Sequence, residues 1–467
     1  MARIIELRAR EVLDSRGLPT VEVEIRLDDG AVARAAAPSG GSRGKREAVE
    51  LRDGDAARYG GCGVRHAVDN VRHLIVPAVL GRDFKGPWEV DAWMTALDGT
   101  PDRRRLGANA MLAVSIAVTR AMALEGALFE YLAVDGEVRL PVPMFNLLNG
   151  GAHAGNNVDI QEFMIAPIGA PCFSEALRMG VEVYRALRSV LKLGGLATSI
   201  GDEGGFAPDL AAAHTQPLDL LLAAIEKAGL NAGRDIVIGV DVAAGELLDG
   251  SSYVFRKSMR RRRTTEQMIQ FYASWLKHYP VWSIEDGLAE SDTEGWRTLT
   301  CELGNRVQLV GDDLFVTNAA ILRAGIADGL ANAMLVKLNQ VGTVSETMEA
   351  IAEANRSRYG VVISHRSGET DCDFIADLAV ATSAGQIKAG APVRGERVAK
   401  YNRLLRIEEA LGPKARYAGQ EFAERGSFLR QDIPQRQKND SASSGDIVPL
   451  VPQRARTINL SRAAERS

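Results

Sequence analysis

Cysteine is scarce in this chain: Cys62, Cys172, Cys301 and Cys372 are the only four in 467 residues, and none pairs as C-x-x-C. That spacing excludes a zinc ribbon and a disulfide framework, and it leaves ordinary reduced thiols. Long apolar runs are also missing, so no segment reads as a membrane span. The start, MARIIELRAR, carries acids and arginines where a secretory signal needs an apolar stretch, which makes the cytoplasm the expected location. Neither sign of charge dominates: the formal net charge is -4 and the pI is near 6.0. This removes the electrostatic case for nucleic acid or an anionic membrane as the main partner, although a local pocket can still oppose the global sign. The glycine-rich PSGGSRGKRE, Pro38 to Glu47, lacks the G-x-x-x-x-G-K-[ST] spacing, so it is no P-loop. It reads as a mobile lid or a flexible connection.

What is present suits a soluble globular protein, with 46% hydrophobic and 25% charged residues. The length calls for two domains or one large barrel with an extension. From Thr20 to Leu27 apolar residues alternate, and the turn Asp28-Asp29-Gly30 leads into AVARAAA, a hairpin-like opening. A helical pattern runs from Ala108 to Leu124, with Gly126 as its stop. Residues 1–138 therefore read as a small α+β domain. From 139 to 417, strands alternate with helical stretches such as Ser174 to Leu193 and Thr265 to His278, the pattern of a wound or closed parallel sheet. After Tyr417 the composition turns to Gln, Arg, Ser, Asp and Pro, so 418–467 is expected to be a low-order tail. The arginine run from Arg260 to Arg263 reads as a solvated face.

The chemistry gathers where strand-like runs stop. IVIGVD ends at Asp241, VWSIED reaches Glu285 and Asp286, VQLVGDD reaches Asp312 and Asp313, AMLVK ends at Lys337 and AGQIK ends at Lys388. After Glu285 these positions recur every roughly 24 to 28 residues, one strand plus one helix plus loops, which points the same end of each strand at a common cavity. Any one acid alone reads first as a helix cap. Three carboxylates in register, with lysines downstream, read as hard-oxygen ligands for Mg²⁺: Asp241, Glu285 and one of Asp312 and Asp313, which strand parity does not separate. Lys337 sits in the apolar LVKLNQVG, where nearby cations are expected to lower its pKa and make it a general base; the alternative is a lysine that pairs with a barrel acid.

Other segments supply further groups. In SIGDEGGFAP, Glu203 stands between Asp202 and two glycines, and negative charge nearby is expected to raise its pKa into the range of a proton donor. NGGAHAGNNVDIQEF offers His153, Gln161 and Glu162 as site groups or loop hydrogen bonders. SHRSGET offers Arg366 and Ser367 as a phosphate receptor, a guanidinium fork beside a hydroxyl, with His365 as neighbour.

Taken in order, DSRGLPTVE, the Ser39-Gly40-Gly41-Ser42 loop, NGGAHAGNN, IQEFMI, GDEGGFAP, SIEDG, GDDLFVTN, LVKLNQVG, SHRSGET and GQIKAG resemble the enolase (phosphopyruvate hydratase) family, of the bacterial type, across roughly residues 3 to 417. The resemblance implies an α/β fold with a small N-terminal α+β domain before an eightfold, TIM-like β/α barrel of modified winding, assembled as a homodimer or as several dimers. It implies a lyase that reversibly dehydrates 2-phospho-D-glycerate, a small phosphorylated three-carbon acid, to phosphoenolpyruvate in glycolysis and gluconeogenesis. By position, Asp241, Glu285 and Asp312 match the ligands of the tighter Mg²⁺, and Ser42 matches a ligand of a second Mg²⁺ that arrives with substrate. Lys337 matches the base at C2, and Glu203 the acid at the 3-hydroxyl. Gln161, Glu162 and Lys388 match groups around the substrate carboxylate and hydroxyl, while His153, Arg366 and Ser367 match those around the phosphate.

The chain departs from the family pattern at Leu18 (Asn in the family), Gly41 (Ala), Arg43 (Thr), Gly245 (Ser) and Cys372 (Asp). Gly41 is expected to loosen the lid, and Arg43 to bring a cation close to the second metal position. Two rival readings keep the fold. One is a paralogue serving as a scaffold, disfavoured by the intact acids and Lys337. The other is a relative acting on a non-phosphorylated acid, disfavoured by SHRSGET and Ser42.

Overall fold

The alternation read from Thr20 to Leu27 builds the centre of the first sheet. In the computed structural model of the chain, residues 1–41, 44–123, 128–133, 138–212, 214–258 and 261–425 are described. Strands β1 (Ala2–Leu13), β2 (Pro19–Leu27), β3 (Val32–Ala36) and β4 (Asp83–Phe84) form an antiparallel sheet in the order β3-β2-β1-β4. Val21, Val23, Ile25 and Leu27 are all buried. The helix Ala108–Met122 is buried nearly all round, as a helix apolar on every side must be. Its expected last residue, Leu124, and the stop Gly126 lie outside the described residues. Truncating a buried side chain in it, such as Met111→Ala, would cost about 2–5 kcal/mol.

Eight strands then close a barrel: β5 (Val142–Asn149), β6 (Glu162–Ala166), β7 (Val237–Asp241), β11 (Val281–Glu285), β12 (Gln308–Gly311), β13 (Ala333–Val336), β14 (Gly360–Ser364) and β15 (Gly385–Lys388). A side sheet of β8 (Leu248–Asp249), β9 (Ser252–Phe255) and β10 (Arg261–Arg263) is inserted after β7. The modified winding is visible in β6, which runs antiparallel to both β5 and β7 while the other neighbours are parallel. The reversal brings the first residue of β6, Glu162, opposite Asn149 and Asp241, the last residues of its neighbours. One rim thus collects an acid from the start of β6 and from the ends of β7 and β11.

The small domain is tied to the barrel close to that rim. Asp91 accepts from Ser345 N (3.1 Å) and Ser345 Oγ (2.6 Å), capping the barrel helix Val344–Arg356 from the other domain. Ser39 and Gly368 exchange backbone hydrogen bonds of 2.8 and 2.9 Å, which anchors the base of the 38–47 loop to the SHRSGET segment.

Two expectations need correction. The arginine run is not wholly a solvated face: Arg261–Arg263 pairs with β9, and the Arg263 guanidinium lies over the Phe271 ring at 4.4 Å, because its planar cation stacks well on aromatic faces. Arg260 lies outside the described residues. The tail does not begin at 418, since Gly419–Arg425 is helical and Phe422 packs edge-on against Trp282 at 5.1 Å, burying an aromatic ring the barrel wall would otherwise expose. The low-order expectation for 426–467 falls outside the described residues. Among the described residues, no helix is long and apolar enough to cross a membrane.

Candidate active site

The barrel rim holds two lysines, each against carboxylates. Lys388, the last residue of β15, places Nζ 2.8 Å from Glu162 Oε2, 2.9 Å from Glu285 Oε1 and 3.0 Å from Asp241 Oδ2. Burial alone would lower its pKa, but Asp241, Glu162 and Glu285 outweigh burial and hold it well above the usual lysine value. Lys337, just past β13, is ion-paired with Asp312 Oδ2. Burial pulls its pKa down, yet the Asp312 charge raises it more, so the net direction is upward. This reverses the lowered pKa expected for a base: as the chain stands, a carboxylate faces the ammonium more closely than any cation does.

The three proposed metal acids are consequently split. Asp241 and Glu285 turn to Lys388, whereas Asp312 turns to Lys337 and to Gln340 Nε2, which donates to its Oδ1 at 2.9 Å. Among the described residues, the His, Asp and Glu triplets whose ligand atoms all lie within 4.8 Å of one another are different ones, His153–Glu162–Glu203 and Asp286–Asp312–Asp313. The cause is charge balance, since buried carboxylates need a cation and the lysines supply it. Asp286 has a separate task. Its carboxylate accepts from Asp312 N (2.8 Å) and Asp313 N (3.0 Å), which fixes the start of the β12 loop.

The donor set suits a hard divalent ion. Glu285 Oε2 and Gln161 Oε1 are buried without a hydrogen-bond partner, and burial plus the Asp241 charge pushes the Glu285 carboxyl well above its usual range. Carboxylate and amide oxygens short of positive charge are what Mg²⁺ coordinates. Ser42, expected to serve a second ion, lies outside the described residues, as does Arg43.

A second group of titratable side chains surrounds Glu203. Asn146 Nδ2 donates to Glu203 Oε2 (3.0 Å), and Ser367 Oγ donates to Oε1 (3.3 Å). His365 Nε2 is 3.4 Å from Oε2 and His153 Nδ1 is 3.7 Å from Oε1, with His153 closer to Glu162 Oε1 at 3.1 Å. Burial would raise the Glu203 pKa, but His153 and His365 reverse it, so Glu203 is held well below the usual range. Glu162 is instead pushed up to about 7 by burial and by the Glu203 charge. The raised pKa expected at Glu203 therefore appears on its neighbour: the Glu203 charge raises Glu162, and the histidines favour the anion at Glu203. His153 itself is raised to about 9, because Glu203 and Glu162 outweigh burial. Burial lowers His365 to about 4.

One pocket is lined by His153, Gln161, Glu162, Glu203, Asp241, Asp312, Lys337, Arg366, Ser367 and Lys388, with Glu285 buried beneath. Gly41 lies against it so tightly that an added Cβ would be 3.1 Å from Ser367 Oγ and 3.2 Å from Arg16 Nη1. The glycine thus admits a close approach of the loop rather than merely slackening it. Of the other departures, Cys372 Sγ sits 3.7 Å from Arg120 Nη2, whose main partner is Asp373 at 2.5 Å, and Gly245 leaves Glu290 unhindered.

Sequence reading missed Arg397. Its fully buried guanidinium donates to Arg366 O (2.6 Å) and Ser367 O (2.6 Å), fixing the segment that presents both side chains. Its position inside a helix gave no local signal.

Fold and rim together define a capped β/α-barrel enzyme that confronts its ligand with buried carboxylates and ammonium groups. Family models for the enolase N-terminal domain and for the enolase C-terminal TIM barrel domain match residues 4–132 and 137–425. The chain belongs to the enolase family and is a lyase of the enolase superfamily.

Proposed function

We propose that the chain is a Mg²⁺-dependent phosphopyruvate hydratase that reversibly dehydrates 2-phospho-D-glycerate to phosphoenolpyruvate, in the cytoplasm, as a homodimer or an assembly of dimers. The observation that carries this reading is the single pocket in which Lys337, Lys388 and Glu203 share walls with Arg366 and Ser367. A lysine base beside Mg²⁺ is the known pattern of enolase-superfamily sites, and Lys337 fits it.

Arg366, Ser367 and His153 grip the phosphate, and Lys388 faces the carboxylate. Lys337 takes the C2 proton. Glu203 gives a proton to the 3-hydroxyl, which leaves as water. Asp241, Glu285 and Asp312 would hold one Mg²⁺ and Ser42 a second; these ions supply positive charge against the charge that builds on the substrate carboxylate, worth several kcal/mol. Were Asp312 turned to such an ion, Lys337 would lose its main anionic partner, and burial would favour the neutral amine a base must be. At the other wall, a phosphate that attracts His153 and Ser367 draws a nearby positive charge and one hydroxyl donor away from Glu203 and favours its protonated form.

The receptor Arg366–Ser367 favours a phosphorylated acid over a plain one. Phosphoenolpyruvate absorbs in the ultraviolet, so purified protein with 2-phospho-D-glycerate and excess Mg²⁺ should show rising absorbance that a chelator abolishes. No absorbance change with saturating Mg²⁺ would overturn the proposal.

A further inference from the structure

Glu203 shows its two carboxylate oxygens to different company. Oε2 accepts from Asn146 Nδ2 at 3.0 Å and lies 3.4 Å from His365 Nε2, which makes no hydrogen bond elsewhere among the described residues. Oε1 faces the Ser367 hydroxyl at 3.3 Å and His153 Nδ1 at 3.7 Å, the two groups a phosphate would draw away. What His365 offers to Oε2 is decided on the other side of its ring. There Arg397, wholly buried on the helix Gly395–Leu411, donates from Nη1 to His365 Nδ1.

A guanidinium only donates, so Nδ1 must supply the lone pair. A neutral imidazole carries a single N–H, and that hydrogen is therefore on Nε2, the nitrogen nearest Glu203. Burial, aided by the Arg397 charge and opposed by Glu203, lowers the ring to about 4 and keeps it neutral. The ring has little room to turn over and trade its nitrogens, since it is 2% exposed and even a Cβ on Gly390 would fall 3.1 Å from its Cε1. Both groups at Oε2 are thus N–H donors, and a carboxyl proton there would meet them head on. At Oε1 the Ser367 hydroxyl can rotate and accept. We propose that Arg397 is a positioning residue for the acid step: by fixing His365 as the Nε2–H tautomer it reserves Oε2 of Glu203 for donors and sends the carboxyl proton to Oε1, the oxygen beside the phosphate receptor. In that step Oε1 gives its proton to the 3-hydroxyl as the C3–O bond breaks and water leaves, and Glu203 remains as an anion that Asn146 and His365 already stabilise. This rests on the reading of Glu203 as the acid.

NMR of the full chain, isotope-labelled in its histidine rings, reports the tautomer, with His365→Gln identifying the signal. In wild type Nε2 of His365 should appear as the protonated nitrogen and Nδ1 as the bare one. A ring protonated at Nδ1 would overturn the proposal, whether or not any variant folds. Arg397→Lys, whose ammonium cannot span Nδ1 and the Arg366 and Ser367 carbonyls as the fork does, should release the ring to a mixture of tautomers. Its kcat should fall about tenfold, less than for loss of the acid itself, while hydrogen exchange at C2 in deuterated buffer persists. If kcat is unchanged, or if turnover and C2 exchange fall by the same factor, Arg397 merely anchors the segment and the proposal fails. A wild-type rate in Glu203→Gln would instead refute the acid reading, while the tautomer seen in wild type would still stand.

Discussion

At the lysine end of the pocket, Asp241 and Glu285 gather on Lys388 and Asp312 gathers on Lys337, so buried negative charge is met by ammonium groups. At the histidine end, Glu203 is met by two imidazoles and by a second carboxylate, Glu162. The Asp312–Lys337 pair favours the charged form of both partners, Asp312 being driven below its usual range despite burial and Lys337 above its own, whereas Glu285, beside Lys388 but also beside Asp241, is pushed well above its range by burial. At the histidine end the shifts spread to both sides of neutrality: Glu203 is held well below the usual range, while Glu162 is pushed up to about 7, His153 is raised to about 9 and His365 is lowered to about 4. One end stores positive charge that a divalent ion would replace. The other places a group that titrates near neutrality, Glu162, beside the anionic Glu203, so Glu203 serves as a general acid only once its cationic and hydroxyl partners are drawn away.

The sharpest way to break this contrast is to remove each end's working group. Lys337→Ala and Glu203→Gln should each lower kcat by about 10²–10⁴-fold, the usual worth of a positioned acid or base. Steady-state turnover would check both, and a wild-type rate in either variant would refute the role given to it.

Next in size is the cost of leaving the acids at the lysine end unmatched. Lys388→Met strands Glu162, Asp241 and Glu285 in the interior and should destabilise the fold by about 3–5 kcal/mol. Excess Mg²⁺ should return part of this in a thermal melt, because a divalent ion meets the same charge deficit. A melt indifferent to Mg²⁺ would contradict the charge-balance account.

Smaller is the pH dependence at the histidine end. His153 is raised from an unfolded value of about 6.5 to about 9, so its contribution is fully present below about 6.5 and is lost as pH rises through 9. In chelator, the stability gap between wild type and His153→Gln should be on the order of 3 kcal/mol at most near pH 6 and should shrink towards pH 10. A gap constant across that range would place the histidine charge elsewhere.

Much of this was legible along the chain, and the failures have physical causes. Apolar runs ending in acids or lysines located the rim: Asp241, Glu285 and Lys388 close their strands, while Asp312 and Lys337 come one residue after. Glu162 obeys the opposite rule, since it opens β6, and only the reversed direction of that strand carries it to the rim. Pairing across great sequence separation hid Glu47 and Arg397, whose partners lie in the SHRSGET segment. The pKa direction at Glu203 also escaped, because the neighbouring acids were visible in the sequence while the two imidazoles reach it only through the fold. The family pattern marks Gly41 as a loosening change, yet the packing against Ser367 exploits its missing side chain.

The division of labour between the two ends is tested most directly by hydrogen exchange at C2 of 2-phospho-D-glycerate in deuterated buffer with Mg²⁺, followed by NMR. Lys337→Ala should abolish the exchange. Glu203→Gln should retain it, because the base remains while the leaving hydroxyl waits for a proton. Exchange that survives in Lys337→Ala and vanishes in Glu203→Gln would contradict the assignment.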